Sequence, residues 1–252
     1  MSLLSTQAII LATFRYGESS KIIRLATASA GVQSAIAKGA LRPRSRFGAA
    51  LQVLSDGQAQ LIVHGNRELQ LLTAFDLHRV RVGLAREMDR YAAASALAEI
   101  MLRFGSGEGH LESFQVLREG LDMLELEDTQ KIEALSLRAM WALVGSLGFE
   151  PTLAVCVHCG EDLVAGELAF DPAAGGALCP VCSRQALPAR LSPDDRADLL
   201  ALIQPGNDLP HLSAKQGAAH RRLLARYIQH HLGEGTALPA LDFWLRRPWD
   251  AA

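Results

Sequence analysis

Residues 6–27 read TQAIILATFRYGESSKIIRLAT, two short apolar stretches separated by the turn sequence YGESS. Short or alternating apolar runs bounded by Gly- and Ser-rich turns are typical of β-strands. Further runs of this kind follow up to residue 80, as GVQSAIAK, LQVLS, AQLIV and ELQLLTAFDL. The sequence therefore predicts five or six strands in this part of the chain. Because an open sheet edge must be covered or removed, we expect the sheet to close into an OB-fold β-barrel.

After Gly83 the apolar residues recur every three or four positions, which indicates helices. Three helical stretches lie within residues 84–148, and two more follow at residues 192–203 and 214–232, the first with Ser192 as its N-cap. The predicted fold class is thus α+β and multidomain: an N-terminal OB-fold barrel and an α-helical C-terminal domain interrupted by a cysteine-rich segment. The predicted boundaries are 1–80 for the barrel, 81–150 and 187–252 for the helical domain, and 151–186 for the inserted segment.

The inserted segment contains all four cysteines, arranged as CVHC and CPVC with nineteen residues between the pairs. Two C-x-x-C pairs at this separation are typical of a four-thiolate zinc site, since each pair forms a turn that supplies two sulfurs to one ion. We therefore predict one Zn²⁺ held by Cys156, Cys159, Cys179 and Cys182. The alternative is four metal-free cysteines, buried or oxidised.

Four thiolates leave no open position for water, so the predicted ion is structural and not hydrolytic. His158 lies between two of the cysteines and is expected to face solvent. The residues LVAGELAFD, from 163 to 171, are predicted to form a β-hairpin between the two cysteine pairs.

Charge is distributed unevenly along the chain. Its 25 Lys and Arg nearly balance its 27 Asp and Glu, yet residues 1–80 contain nine basic and four acidic residues. From Lys21 to Arg46 there is no acidic residue at all. OB barrels bind single-stranded nucleic acid through a cationic groove and aromatic faces. The cations that we predict to contact phosphates are Lys21, Arg24, Lys38, Arg42, Arg44 and Arg46.

Three aromatic residues, Phe14, Tyr16 and Phe47, flank the same strand ends and loop. Of these, Phe14 is expected to belong to the core. The alternative interpretation of the whole region is that the cations only make a long loop soluble and the aromatic residues fill the barrel.

A second basic group lies near the C-terminus. Arg222 and Arg226 are four residues apart on one face of a predicted helix, and the terminal sequence DFWLRRPW combines aromatic and basic side chains. This group either packs against the core, which is the simpler interpretation, or offers a groove to a partner. The residues concerned are His220, Arg221, Arg222, Arg226, Phe243, Trp244, Arg246 and Arg247.

Taken together, TQAIILATFRYGESSKIIRLAT, the phrase AKGALRPRSRFGAALQ at residues 37–52 and a helical domain interrupted by CVHCG and CPVC resemble the bacterial RecO recombination mediators. The resemblance covers the whole chain in order. It implies a protein that is not an enzyme, binds single- and double-stranded DNA and anneals complementary strands. It also implies partnership with RecR and single-strand-binding protein in loading RecA, a cytoplasmic and nucleoid-associated location, and neither a membrane nor a small-molecule substrate.

Two other function classes fit parts of the sequence. A zinc-ribbon adaptor would bind only protein partners, using the basic barrel for an acidic tail. A metallohydrolase would need an open zinc position. No Walker loop, no G-x-G-x-x-G after a strand and no convincing carboxylate cluster is found, so the sequence offers no residues for an ATP-driven or nuclease role.

Overall fold

The computed structural model describes residues 2–105, 111–163, 168–185, 189–204, 206, 208–233 and 235–251. The N-terminal part is a five-stranded sheet, and helices follow it, as the α+β prediction requires. The strands are β1 (Ser2–Tyr16), β2 (Ser20–Thr27), β3 (Gly31–Ala37), β4 (Asp56–Val63) and β5 (Leu69–Arg79). Their hydrogen-bonded order is β1-β2-β3-β5-β4, and β4 pairs back with β1, so the sheet closes into a barrel. The β3–β5 pair is parallel and the other pairs are antiparallel.

Alternate residues of the strands fill the barrel. Ile23 and Leu25 of β2 point inward, as do Ala35 of β3 and Leu61 of β4, and all four are fully buried. The intervening residues point outward, since side chains of a strand alternate between its two faces. One half of this outer surface is covered, because Ile9, Leu11 and Ala26 pack against the helices.

An irregularity in β1 decides which residues reach which face. The pairing of β1 with β2 shifts register between Ile10 and Ala12. A bulge of this kind reverses the alternation of all residues beyond it. Ile10 therefore lies inside the barrel, whereas Phe14, four residues later, lies on the outer surface.

The stretch LQVLS, at residues 51–55, is not a strand, so five of the five or six predicted strands form. Its two buried leucines are three residues apart and enter different cores: Leu51 fills the barrel and Leu54 joins the helical core. Leu54 has a φ of 66°, outside the extended region, and its N–H donates to the carbonyl of Ile10 at 2.8 Å. The segment thus lies between the two cores and contributes one leucine to each.

Of the six α-helices that the structure describes, the first five match the predicted stretches, and the sixth, in the C-terminal sequence, was not predicted. They are α1 (Met88–Phe104), α2 (Leu111–Leu126), α3 (Ile132–Ser146), α4 (Pro193–Ile203), α5 (Ala214–His231) and α6 (Pro239–Arg246). Ser192 is the N-cap of α4, and its hydroxyl accepts a hydrogen bond from the Asp195 N–H. None of these described helices is long and apolar enough to cross a membrane.

The cysteine-rich segment and the residues that directly follow it form a second, small sheet. Its strands are β6 (Leu168–Asp171), β7 (Gly176–Leu178) and β8 (Ala189–Leu191), with β6 in the centre. The predicted hairpin at residues 163–171 contributes only β6, because residues 164–167 lie outside the described part of the chain; β6 instead pairs with β7 through a turn at residues 172–175. Phe170 of β6 is fully buried in the helical core, where its ring lies 6.1 Å from that of Tyr227. This contact packs the segment against α5.

Arg81 connects the barrel to the helices. Its side chain is 0% exposed, and one guanidinium nitrogen lies 2.7 Å from Asp56 of β4 and 2.8 Å from Asp122 of α2. A second nitrogen donates to the Leu54 carbonyl at 2.9 Å. Because a buried guanidinium needs such partners, these contacts fix α2 against the start of β4.

Replacement of Arg81 by Ala should destabilise the whole chain. It leaves Asp56 and Asp122 without their shared cation, and loss of one partner of a buried pair typically costs about 3–5 kcal/mol, with the lower end expected because both carboxylates keep some water contact. Lys131→Ala is the matched control, since it removes an exposed pair with Glu127 that contributes less than about 1 kcal/mol. Urea unfolding of both variants measures the difference. Equal stability of the two variants would refute this role of Arg81.

Candidate nucleic-acid interface and cysteine cluster

The predicted basic loop connects β3 to β4 and is held by successive turns. The N–H of Arg42 donates to the Gly39 carbonyl at 3.1 Å, and that of Ser45 to the Arg42 carbonyl at 3.0 Å. The first turn requires a φ of 74° at Gly39, a conformation that glycine adopts without strain. These contacts give the loop a defined backbone, and the four cations that it carries are all exposed. They are Lys38, Arg42, Arg44 and Arg46.

Phe47 anchors this loop and does not face solvent. Its side chain is buried among the residues that fill the barrel, and the Arg46 guanidinium lies 5.1 Å from the centre of its ring. Of the three aromatic residues predicted near the interface, Phe47 is therefore not accessible for base stacking.

The two cations on β2 are half-buried and occupy opposite faces of the strand. Lys21 closes the end of the barrel, where its Nζ donates to the Leu51 carbonyl at 3.4 Å. Arg24 lies on the outer face, and its buried Nε has no hydrogen-bond partner among the described residues. Neither they nor the four loop cations form an ion pair with any carboxylate that the structure describes. Their charge is thus not neutralised within that part of the chain.

The expectation that Phe14 belongs to the core was wrong. Its side chain is 54% exposed, because the register shift in β1 turns it outward. In the pairing of neighbouring strands it lies opposite Ile22, which lies opposite Ile36, which lies opposite Leu71. These four side chains form an apolar row across the open half of the outer surface. Tyr16, 52% exposed, follows at the end of β1.

A groove of about 540 Å³ borders this row. Ile36 and Leu71 line it on the barrel side, and Lys38 and Arg67 supply its positive charge beside one acid, Glu68. We call the row, the groove and the basic loop together the open barrel face. Ile22, Ile36, Leu71 and Arg67 were missed in the sequence, although the alternation KIIRLAT already places Ile22 on the face opposite Ile23.

The C-terminal basic group does not lie in one open surface. Trp244 is buried at 3% exposure, as core packing predicts, and Phe243 lies against Trp249 with ring centres 5.0 Å apart. Arg221 pairs with Glu133. Other members pair as follows: Arg246 with Asp242, and Arg247 with Asp89, Glu133 and Asp250.

Arg222 and Arg226 differ from the rest of this group. Both are exposed on α5, opposite its buried residues, as the sequence predicts. They line a separate groove of about 180 Å³ together with residues of β8 and α4. His220 is buried beneath the same groove.

The four cysteines meet at one point. Their sulfurs all lie within 4.8 Å of one another, and those of Cys159 and Cys179 are 3.8 Å apart. A disulfide requires about 2.05 Å, so all four are free thiols. Four sulfurs placed about 2.3 Å from a tetrahedral Zn²⁺ lie about 3.8 Å from each other. The cluster therefore fits a zinc ion.

Backbone N–H groups around the cluster favour the thiolate form of Cys156. Burial alone would raise the pKa of Cys156, but the N–H groups of Cys179, Cys159 and His158 point to its sulfur and lower the pKa to about 6. The Cys179 thiol, burial and the other two thiols instead raise the pKa of Cys182 to about 12. The four sulfurs consequently do not all ionise near neutral pH unless a cation joins them.

The turns of the two pairs follow the expected pattern. The N–H of Gly160 donates to the Cys156 carbonyl at 2.8 Å, with a φ of 75° at Gly160. The N–H of Ser183 donates to the Cys179 carbonyl at 2.9 Å. His158 is exposed, as predicted.

Comparison with known proteins gives matches along most of the chain. The family description "Recombination protein O N terminal" matches residues 1–81, and "Recombination protein O C terminal" matches residues 85–239. A DNA repair protein RecO of Rubrobacter xylanophilus is 33% identical over 236 residues, covering 92% of each chain. The corresponding protein of Thermobifida fusca is 33% identical over 243 residues, which cover 94% of this chain and 96% of the relative. That of Symbiobacterium thermophilum is 31% identical over 236 residues, which cover 90% of this chain and 92% of the relative.

Proposed function

The chain belongs to the RecO family of DNA repair proteins, and from this premise we propose that it is a recombination mediator that binds DNA through the open barrel face. One observation carries the proposal. The cations of this face have no carboxylate partner in the described part of the chain, and they border an exposed apolar and aromatic row. Family membership alone assigns a role in DNA repair and recombination; the DNA contacts are our proposal.

We further assign the barrel to the OB-fold class. The supporting feature is its strand order, in which a closed five-stranded sheet has β5 between β3 and β4. OB-folds bind oligonucleotides on the β2–β3 surface and with the loops that follow β1 and β4. Ile22, Arg24 and Ile36 occupy that surface, and Arg67 lies in the loop after β4.

Two kinds of contact are proposed for single-stranded DNA. Guanidinium groups of the basic loop donate to phosphate oxygens, while Phe14 and Tyr16 offer ring faces to bases. Stacking contributes about 1–3 kcal/mol per base and tolerates any sequence. Binding is therefore expected to depend on salt and to show little base preference.

Annealing follows from the same contacts without covalent chemistry. Two DNA strands repel each other through their phosphates, and a protein that neutralises both while leaving base edges free lowers the barrier to pairing. We propose that the protein acts in this way on single- and double-stranded DNA and is not an enzyme. Cooperation with RecR and single-strand-binding protein in loading RecA is proposed from the family resemblance. For an acidic partner tail, the exposed pair Arg222 and Arg226 is the best placed part of the C-terminal basic group.

A triple replacement of Arg42, Arg44 and Arg46 by Ala tests the DNA interface. We expect single-stranded oligonucleotides of different sequence to lose affinity to a similar degree. The slope of log affinity against log salt should fall by up to about 0.7 for each phosphate contact removed. The matched control is the triple Ala variant of Arg86, Arg103 and Arg184, which are exposed on other parts of the chain and give the same change in net charge.

Fluorescence anisotropy at several salt concentrations measures both variants. Equal salt slopes for the two triple variants would place the DNA site elsewhere. No DNA binding by the wild-type chain at low salt would favour an adaptor that binds only proteins.

We propose one structural Zn²⁺ at Cys156, Cys159, Cys179 and Cys182. The cysteine segment buries few side chains of its own, so the ion supplies stability that packing does not. Cys179→Ser should lose the metal and lower the melting temperature. His158→Ala is the control and should keep one zinc per chain, because His158 is not a ligand in this proposal. Metal analysis of both variants decides, and zinc retained in Cys179→Ser would contradict the assignment.

A further inference from the structure

A second group of metal-type ligands lies between α4 and α5, apart from the cysteine cluster. It consists of Asp195 and Asp198 of α4 and His220 of α5, whose ligand atoms all lie within 4.8 Å of one another. The spacing of the two carboxylates, three residues apart on a helix, places both on the side that faces His220. One nitrogen and two oxygen donors thus converge from two helices.

His220 is the member of this group that most needs a partner. Its side chain is 2% exposed, and neither ring nitrogen has a hydrogen-bond partner among the described residues. A buried polar group without a partner costs about 1–3 kcal/mol. Burial lowers the pKa of His220, against the opposing effect of the Asp195 charge. A neutral imidazole with both ring nitrogens unpartnered has a lone pair to offer to a metal ion.

The two carboxylates are already oriented by neighbouring side chains. The Ser192 hydroxyl donates to Asp195 Oδ2 at 2.7 Å, and the Gln216 amide donates to Asp198 Oδ2 at 3.0 Å. Both donors belong to helix caps, Ser192 at α4 and Gln216 in the capping box of α5. Hydrogen bonds of this kind around metal ligands fix their direction and raise metal affinity.

Some of the charges around the site favour the binding of a cation, and others oppose it. The carboxylates of Asp195 and Asp198 lie close together, so a cation between them would relieve their mutual repulsion. Against this, Arg190, Arg222 and Arg226 line the groove above His220. Their positive charge weakens cation binding but does not block access, because the groove of about 180 Å³ opens the site to solvent.

We propose that Asp195, Asp198 and His220 bind a divalent metal ion of the Zn²⁺ or Mn²⁺ type at this α4–α5 site. Imidazole and carboxylate donors suit both ions, and three protein ligands leave coordination positions open to the groove. A bound ion would link α4 to α5 and stabilise their packing. The inference is independent of the proposed DNA contacts.

Mn²⁺ is the probe for this site, because it binds thiolates poorly and so does not report on the cysteine cluster. The full chain, prepared with one equivalent of Zn²⁺ for the cysteines, is titrated with Mn²⁺ and free Mn²⁺ is followed by electron paramagnetic resonance. We expect one Mn²⁺ per chain and selective broadening of the His220 ring signals in NMR spectra. A rise in melting temperature should accompany binding.

Asp198→Asn keeps the shape of the side chain and removes its charge, and it should weaken Mn²⁺ binding by about 100-fold, the upper part of the range seen when even supporting groups of metal sites are lost. Asp194→Asn, on the exposed side of the same turn, is the matched control and should change binding by only about twofold through its distant charge. Melting curves without metal establish that both variants fold. Absence of Mn²⁺ binding at about 1 mM in the wild type, or equal affinity in the two variants, would overturn the proposal.

Discussion

The buried guanidinium of Arg81 joins the β-barrel to the helices. One of its nitrogens lies 2.7 Å from Asp56 at the start of β4 and 2.8 Å from Asp122 on α2. A charge with no exposed surface is tolerated only where such partners are fixed. Arg79 and Gly83 add contacts from the same segment to Asp122 and Glu125. The position of the barrel against the helices therefore depends on a short stretch of chain between them.

This attachment determines which part of the barrel remains available. The helices cover the outer residues Ile9, Leu11 and Ala26, and the opposite half of the same surface stays open. The register shift in β1 then brings Phe14 into the open half, beside Ile22. The barrel interior needs Phe47 and Leu51 to close its end, and this requirement fixes the loop that carries the arginines. The helix contacts, the register shift in β1 and the closure of the barrel end thus also determine the proposed DNA surface.

Much of this arrangement can be predicted from the sequence. Helix positions follow from three- and four-residue apolar spacing and from caps such as Ser192, and the two C-x-x-C pairs predict the meeting of the four sulfurs. Phe14 could not be placed correctly, because a bulge leaves no clear local signature and reverses every side chain beyond it. The segment that contains Leu51 and Leu54 resembled a strand because it is a short apolar run. Its two leucines are in fact buried in two separate cores, which the sequence does not indicate. The pairing of Arg221 and Arg247 with Glu133 is a long-range contact that no local pattern indicates.

The proposed DNA contact requires bases to stack on the open barrel face. Photo-crosslinking of single-stranded oligonucleotides containing 5-iodouracil tests it directly, because this base reacts with aromatic side chains on which it stacks, and mass spectrometry identifies the attached peptide. Crosslinks are expected at Phe14 or Tyr16, both exposed on β1. Crosslinks confined to exposed aromatic residues outside the barrel, such as Tyr91 on α1 or Phe243 on α6, would contradict it.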